Sequence, residues 1–320
     1  GTAWAYADDD WSKQLNRAFS ELFRTEAIVL PVSTGTVANS IALACVTPPW
    51  GSVFCHTGAH ILNDECGAPE FFGNGLRLVP VDGEDGKLTP AALEKSVRAN
   101  EGHGVHSYLP SALSLTQATE AGTIYSIEEV KALCDSAHAL GMQTHMDGAR
   151  FGNAIAGLGC HPAEVTVEAG IDMLSFGASK NGCMAAEALV FFNQPELLAT
   201  AERLRKRSGH LLSKMRYVSA QLLAYIENGR WLEMATHANQ QAAKVAAVIE
   251  NHAEAELEYP VDANEIFVRW TREGFEHLQS RDIQFQLWPG RDDLARFVFA
   301  HSTSDEEIEK LAESLTNFGP

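Results

Sequence analysis

Short apolar runs alternate with stretches of helical periodicity along most of the chain. Ala27–Val32 is an apolar run that ends in a Ser-Thr-Gly turn, and Val37–Cys45 then reads as a helix. Ser52–His56 and Leu76–Val81 predict further strands. Thr89-Pro90 opens a helix, with Thr89 as N-cap and Pro90 at the first helical position. Ser111–Leu115 reads as a buried strand; Ser126 and Glu129 form a capping box, and Gly141 closes the helix that follows. Gln143–Met146 runs as a short strand into Asp147-Gly148, and Asp172–Phe176 and Ala188–Phe192 predict two more. Strands separated by helices this regularly imply an α/β unit with a mostly parallel sheet covered on both faces.

The pattern changes after about Gly209. Lys214–His252 predicts two long helices broken near Asn228-Gly229. Short strands follow at Glu265–Trp270, Gln284–Leu287 and Ala295–Ala300, then a helix capped by Ser304 with Glu307. The chain therefore reads as a large unit, residues 1–213, and a smaller α+β unit, residues 214–320.

Composition narrows the function classes. The 320 residues are 45% hydrophobic, enough to fill a globular core. No apolar run is long enough to span a bilayer, and the first residues lack a secretory signal, so a membrane role is not expected. The formal net charge of −18 disfavours a nucleic-acid partner. Six cysteines without a C-x-x-C pair fit reduced thiols and a cytoplasmic location.

Several segments carry candidate chemistry. Lys180 follows an apolar strand within Ser179-Lys180-Asn181-Gly182. Small neighbours allow close approach of a ligand and desolvate the amine, lowering its pKa toward a nucleophilic range; the alternative is a solvated loop lysine. Asp147 ends a strand, where open α/β sheets place ligand-binding groups. A carboxylate there can keep a pyridine nitrogen protonated, or can simply cap the next helix. Ser33-Thr34-Gly35-Thr36 opens a helix and suits a phosphate, although an ordinary N-cap has the same appearance. No G-K-[ST] ending or G-x-G-x-x-G follows a strand, so nucleotide readings are poor. His60 is placed to stack on a ring or move a proton. Cys55, His56, His60 and Glu65 match no standard zinc spacing, and no metal site is expected. His103 and His106 read as exposed loop residues. Arg296 lies in an otherwise apolar strand, so its guanidinium is either in an ion pair or aimed at a carboxylate ligand.

The order of these pieces resembles that of the low-specificity L-threonine aldolases, fold-type I (aspartate-aminotransferase-like) enzymes that use pyridoxal 5′-phosphate (PLP). The stretches carrying the resemblance are Tyr6-Ala7-Asp8-Asp9, Ser33–Asn39, Ala59-His60 with Glu65 and Gly67-Ala68, His145–Arg150, Ser179–Gly182 and Arg296–Val298. His145-Met146-Asp147-Gly148-Ala149-Arg150, followed 33 residues after its Asp by Lys180, is the most specific pairing.

The resemblance implies retro-aldol cleavage of β-hydroxy-α-amino acids such as threonine, allo-threonine and phenylserine to glycine and an aldehyde. Lys180 would hold the cofactor as a Schiff base, Asp147 would pair with its pyridine nitrogen, and Arg150 would lie beside the ring and its 3-oxygen. His60 would stack on the ring face, Gly35 and Thr36 would bind the phosphate, and Arg296, with Glu65 nearby, would serve the substrate. Tyr6 would reach the phosphate region of a neighbouring subunit, implying a homodimer or homotetramer. Three departures stand out. Thr119 occupies the place where many relatives carry a His that touches the substrate hydroxyl, so His60 or a water beside Thr119 and Glu120 becomes the candidate proton acceptor. Ala7 replaces a Gly. Relatives also begin earlier, with a Ser-Asp segment near the substrate, so the sequence reads as a fragment or as a chain impaired by its loss. Two rivals remain open: another PLP reaction on the same scaffold, or a non-catalytic partner subunit.

Overall fold

Asp9 accepts from the Ser12 backbone N–H at 2.9 Å and so starts helix α1, Asp10–Phe23. Leu15, Phe19 and Phe23 recur at helical spacing and are fully buried, and they lay this helix on the sheet core. The computed structural model describes residues 2–100, 102 and 104–318; His103 lies outside them, and His106 is exposed.

The elements that follow are β1 (Ala27–Val32), α2 (Gly35–Val46), β2 (Gly51–His56), the short helices α3 (His60–Asn63) and α4 (Ala68–Phe72), and β3 (Arg77–Val81). Next come α5 (Pro90–Asn100), β4 (Leu109–Thr116), α6 (Ile127–Ala139), β5 (Gln143–Gly148), α7 (Phe151–Leu158), β6 (Met173–Gly177) and β7 (Glu187–Phe192). The C-terminal third holds α8 (Leu198–Arg207), α9 (Arg216–Ile226), α10 (Arg230–Ile249), β8 (Glu256–Leu257), β9 (Glu265–Arg269), α11 (Arg272–Ser280), β10 (Gln286–Leu287), β11 (Leu294–Val298) and α12 (Asp305–Thr316).

Seven strands form one sheet in the order β1-β7-β6-β5-β4-β2-β3. β7 runs antiparallel to both its neighbours, and the remaining pairs are parallel. The fold is α/β, with a mostly parallel sheet as its pattern predicts. Both capping boxes form, at Ser126/Glu129 and at Ser304/Glu307. The break between α9 and α10 falls at Asn228 and Gly229, whose φ values of 58° and 73° lie in the left-handed region.

The four remaining strands form a second sheet, β10-β11-β9-β8. Its core draws on Ala242, Val245 and Ile249 of α10 and on Leu311 and Leu315 of α12. Met215, Val218, Leu222, Tyr225 and Trp231 instead join the core of the large sheet. The expected boundary at 213/214 thus falls just ahead of a helix, α9, that packs on the large sheet.

Phe19 meets Phe176 edge-on, with ring centroids 5.0 Å apart, in the middle of this core. Phe19→Ala is expected to cost about 3–5 kcal/mol of stability. Denaturant unfolding checks this, and a loss below about 1 kcal/mol would mean that α1 contributes little to the core.

Candidate active site

The carboxyl ends of the parallel strands gather the polar residues that the sequence scatters. Asp147, near the end of β5, is buried. Its Oδ1 accepts from the Ala149 backbone N–H at 3.0 Å, and its Oδ2 accepts from Asn39 Nδ2 at 2.9 Å. Asn39, buried on α2, also donates to Glu65 Oε1 at 2.8 Å. The same Glu65 oxygen takes His60 Nδ1 at 2.8 Å, with the imidazole as donor. His60, Glu65 and Asp147 therefore present ligand-type atoms within 4.8 Å of one another. Of the other residues weighed for a metal, Cys55 lies in an apolar cluster and His56 bonds to Gly83 and Gly58.

Electrostatics follow from this crowding. Hydrogen bonding to Glu65 raises the His60 pKa, opposed by burial and supported by Asp147 and Glu120. Burial raises the Glu65 pKa, and its bonds from His60 and Asn39 restrain the rise. The two groups thus tend to hold a proton between them.

Lys180 lies in a single helical turn, Ser179–Asn181, immediately beyond β6. The residue is exposed in the single chain, yet it lines the cavity described below, and desolvation first and Arg150 second lower its pKa. Asn181 anchors the turn by donating to the Tyr225 hydroxyl at 2.7 Å and to the Trp231 carbonyl at 2.8 Å. Gly182 follows with φ of 110°, and a Cβ there would crowd the Met234 sulfur at 3.1 Å.

A cavity of about 170 Å³ joins these parts; Gly35, Thr36, Asn39, His60, Glu65, Asp147, Ala149, Lys180 and Glu187 line it. Thr34 caps α2, so Gly35 and Thr36 carry the N-terminal amides of that helix. A Cβ added at Gly35 would meet no atom within 4 Å, which leaves the mouth open beside those amides. An anion cradle, a desolvated amine and a fixed buried carboxylate in one cavity are the donor set that PLP requires.

Other expected residues stand further out. Arg150 is buried and ion-paired with Glu265; burial lowers its pKa, with Glu120 opposing. Arg296 donates to Gln286 Oε1 at 2.7 Å, and its Nη1 lies 4.0 Å from Glu265 Oε2. Tyr6 is exposed, with Lys206 Nζ 4.7 Å from its ring centroid. Thr119, expected beside the substrate hydroxyl, is buried in its own turn instead. Its hydroxyl bonds to Thr123 Oγ1 at 2.7 Å and takes the backbone N–H groups of Ala121 and Thr123. Three residues without a role in the sequence reading, Asn39, Glu187 and Glu265, enter the site or its border. Burial pushes the Glu187 carboxyl up to about 7.

Comparison with known proteins gives the family. The family model described as beta-eliminating lyase matches residues 1–272. A low specificity L-threonine aldolase from a Pseudomonas strain is 40% identical over 311 residues, spanning 97% of this chain and 89% of the relative. The Pseudomonas aeruginosa protein of the same name is likewise 40% identical over 97% of this chain and 89% of its own. A solved threonine aldolase from Leishmania major superposes with a TM-score of 0.91 at 27% identity, covering 98% of this chain and 91% of that one. With the fold-type I architecture that these neighbours share, the chain belongs to the low-specificity L-threonine aldolases of the beta-eliminating lyase family, PLP-dependent lyases that release glycine and an aldehyde from β-hydroxy-α-amino acids.

Proposed function

We propose that Lys180 holds the PLP, that Asp147 pairs with its pyridine nitrogen, and that His60 and Glu65 together manage the proton of the substrate hydroxyl. The observation that carries this reading is the convergence of Lys180, Asp147, His60, Gly35 and Thr36 on one cavity from four separate stretches of the chain. Gly35 and Thr36 would take the phosphate, the His60 ring would cover the cofactor face, and Arg150 would lie beside its 3-oxygen. Bound PLP supplies an electron sink for the carbanion left when the Cα–Cβ bond breaks.

The protein's own contribution is orientation and proton control. Lys180, with its lowered pKa, more readily sheds the proton that keeps an amine from acting as a nucleophile. Asp147 cannot swing away, because Asn39 and the Ala149 amide hold both its oxygens. Arg296 would grip the substrate carboxylate. His60, backed by Glu65, takes the hydroxyl proton, a role that the inward-facing bonds of Thr119 leave to it. The proposal keeps a two-part organisation. Residues 1–213 carry the cofactor, and residues 214–320 supply Arg296, with α9 tying the second part to the first.

The exposed aromatic side chains Trp4, Tyr6, Trp11 and Tyr217 support a homodimer or homotetramer, in which Tyr6 serves a neighbouring site. None of the described helices is long and apolar enough to cross a membrane, and all six cysteines are free. Both observations support a cytoplasmic location.

Lys180→Ala is expected to remove both the visible absorption of the bound cofactor and the activity. Borohydride reduction and peptide mapping of the unaltered protein check the attachment, and a pyridoxyl label on another lysine would reassign it. Asp147→Asn is expected to retain PLP while kcat falls on the order of 100-fold or more, since a neutral partner cannot balance a pyridinium charge. Near-normal turnover would remove Asp147 from that role. Threonine, allo-threonine and phenylserine are expected to yield aldehyde and glycine; ammonia with 2-oxobutanoate from the threonines, or with phenylpyruvate from phenylserine, in place of aldehyde would indicate β-elimination.

A further inference from the structure

The face of the small sheet that turns away from its own core carries charge. Antiparallel register pairs Glu265 with Val298 and Phe267 with Arg296. Ile266, Val268, Ala295 and Phe297 fill the small core. Alternation therefore puts Glu265 and Arg296 together on the opposite face, as diagonal neighbours.

The Glu265 side chain has 0% exposure. A carboxylate stripped of water to that degree stays ionised only where hydrogen bonds or cations replace its hydration. Arg150, from the turn beyond β5, forms an ion pair with it, and Arg296 Nη1 stands at 4.0 Å on its other oxygen. Backbone packing fixes the position of Glu265: a Cβ at Gly122 would come within 2.9 Å of its carbonyl oxygen. Arg296 is steadied on the other side by Gln286, while its Nε is buried without a partner. The two guanidinium groups share this one buried carboxylate, with Glu120 and Asp147 acting on Arg150 as well. Arg150 holds Glu265 in direct contact, and the donor without a partner belongs to Arg296.

We propose that Glu265 is a positioning residue for substrate binding. It locks Arg150 against the small sheet and holds the Arg296 guanidinium in the orientation that meets the substrate α-carboxylate. The inference rests on the reading of Arg296 as the carboxylate-binding residue.

A double-mutant cycle on the holoenzyme tests it, with Arg296→Ala, Glu265→Gln and the pair. Glycine affinity is read from the change in the cofactor's visible band, and KM and kcat are measured for threonine. Glu265→Gln is expected to weaken glycine binding and raise KM roughly tenfold with kcat little changed, a coupling of ordinary size for neighbours in one charge network. The double variant is expected to bind glycine no more weakly than Arg296→Ala alone. If Arg296→Ala leaves glycine affinity unchanged, the reading of Arg296 falls. If Arg296→Ala weakens binding but Glu265→Gln does not, or if the two effects multiply, the positioning role falls while Arg296 keeps its own. Should Glu265→Gln not fold, Glu265→Asp, which keeps the charge and draws it back by one methylene, goes through the same cycle with the same criteria.

Discussion

Everything in the site is arranged around one buried carboxylate. Removing an ion such as Asp147 from water costs several kcal/mol unless hydrogen bonds or counter-charges replace its hydration. Here the replacements are an amide from its own turn and the side chain of Asn39. Asn39 has a second hydrogen to donate, which brings in Glu65, and Glu65 in turn fixes the His60 imidazole. One desolvated charge thus organises α2, the loop carrying α3 and the end of β5 into a single network, in which each polar group is oriented by the next.

Much of this was legible in the sequence because it depends on local pattern. The alternation of apolar runs and helices gave the α/β sheet, capping residues marked α5, α6 and α12, and the Asn228-Gly229 break separated α9 from α10. Lys180, Asp147, His60 and Gly35-Thr36 stood out because each ends or follows a strand, and strand ends are where such folds place chemistry. What stayed hidden depends on direction and packing. Thr119 occupies the loop position from which a substrate contact was expected, but a side chain one residue along a turn can face inward and satisfy its own backbone. Asn39 reads as a polar interruption in an apolar helix until the fold sets it opposite Asp147. Glu187 and Glu265 share a faint signal, since each is an acid heading a buried apolar strand, yet no spacing rule says which guanidinium or amine each will meet.

The C-terminal unit shows the same limit. Three of its four strands and its final helix followed from periodicity, whereas β8 and the attachment of α9 to the large core did not. That attachment rests on Met215, Leu222 and Tyr225 meeting residues far away in sequence. Tyr225 also accepts from Asn181, so the helix that joins the two parts touches the turn bearing Lys180. Packing and chemistry share a residue at that point, and a change made for stability in α9 would be felt at the amine.

The reversed run of β7 has its own consequence. A parallel strand offers its last residues to the catalytic rim, but a strand running the other way offers its first. Glu187 pairs with Val32, the last residue of β1, and with Gly177, the last residue of β6, so it stands at the rim although it begins its strand. The segment leading into β7 is therefore a short lead-in between two residues that line the cavity, with Lys180 upstream and Glu187 downstream. Insertions or deletions there shift both groups at once. Length variation in this family should consequently be tolerated after Phe192, at the end of the strands away from the rim, and resisted between Gly182 and Glu187.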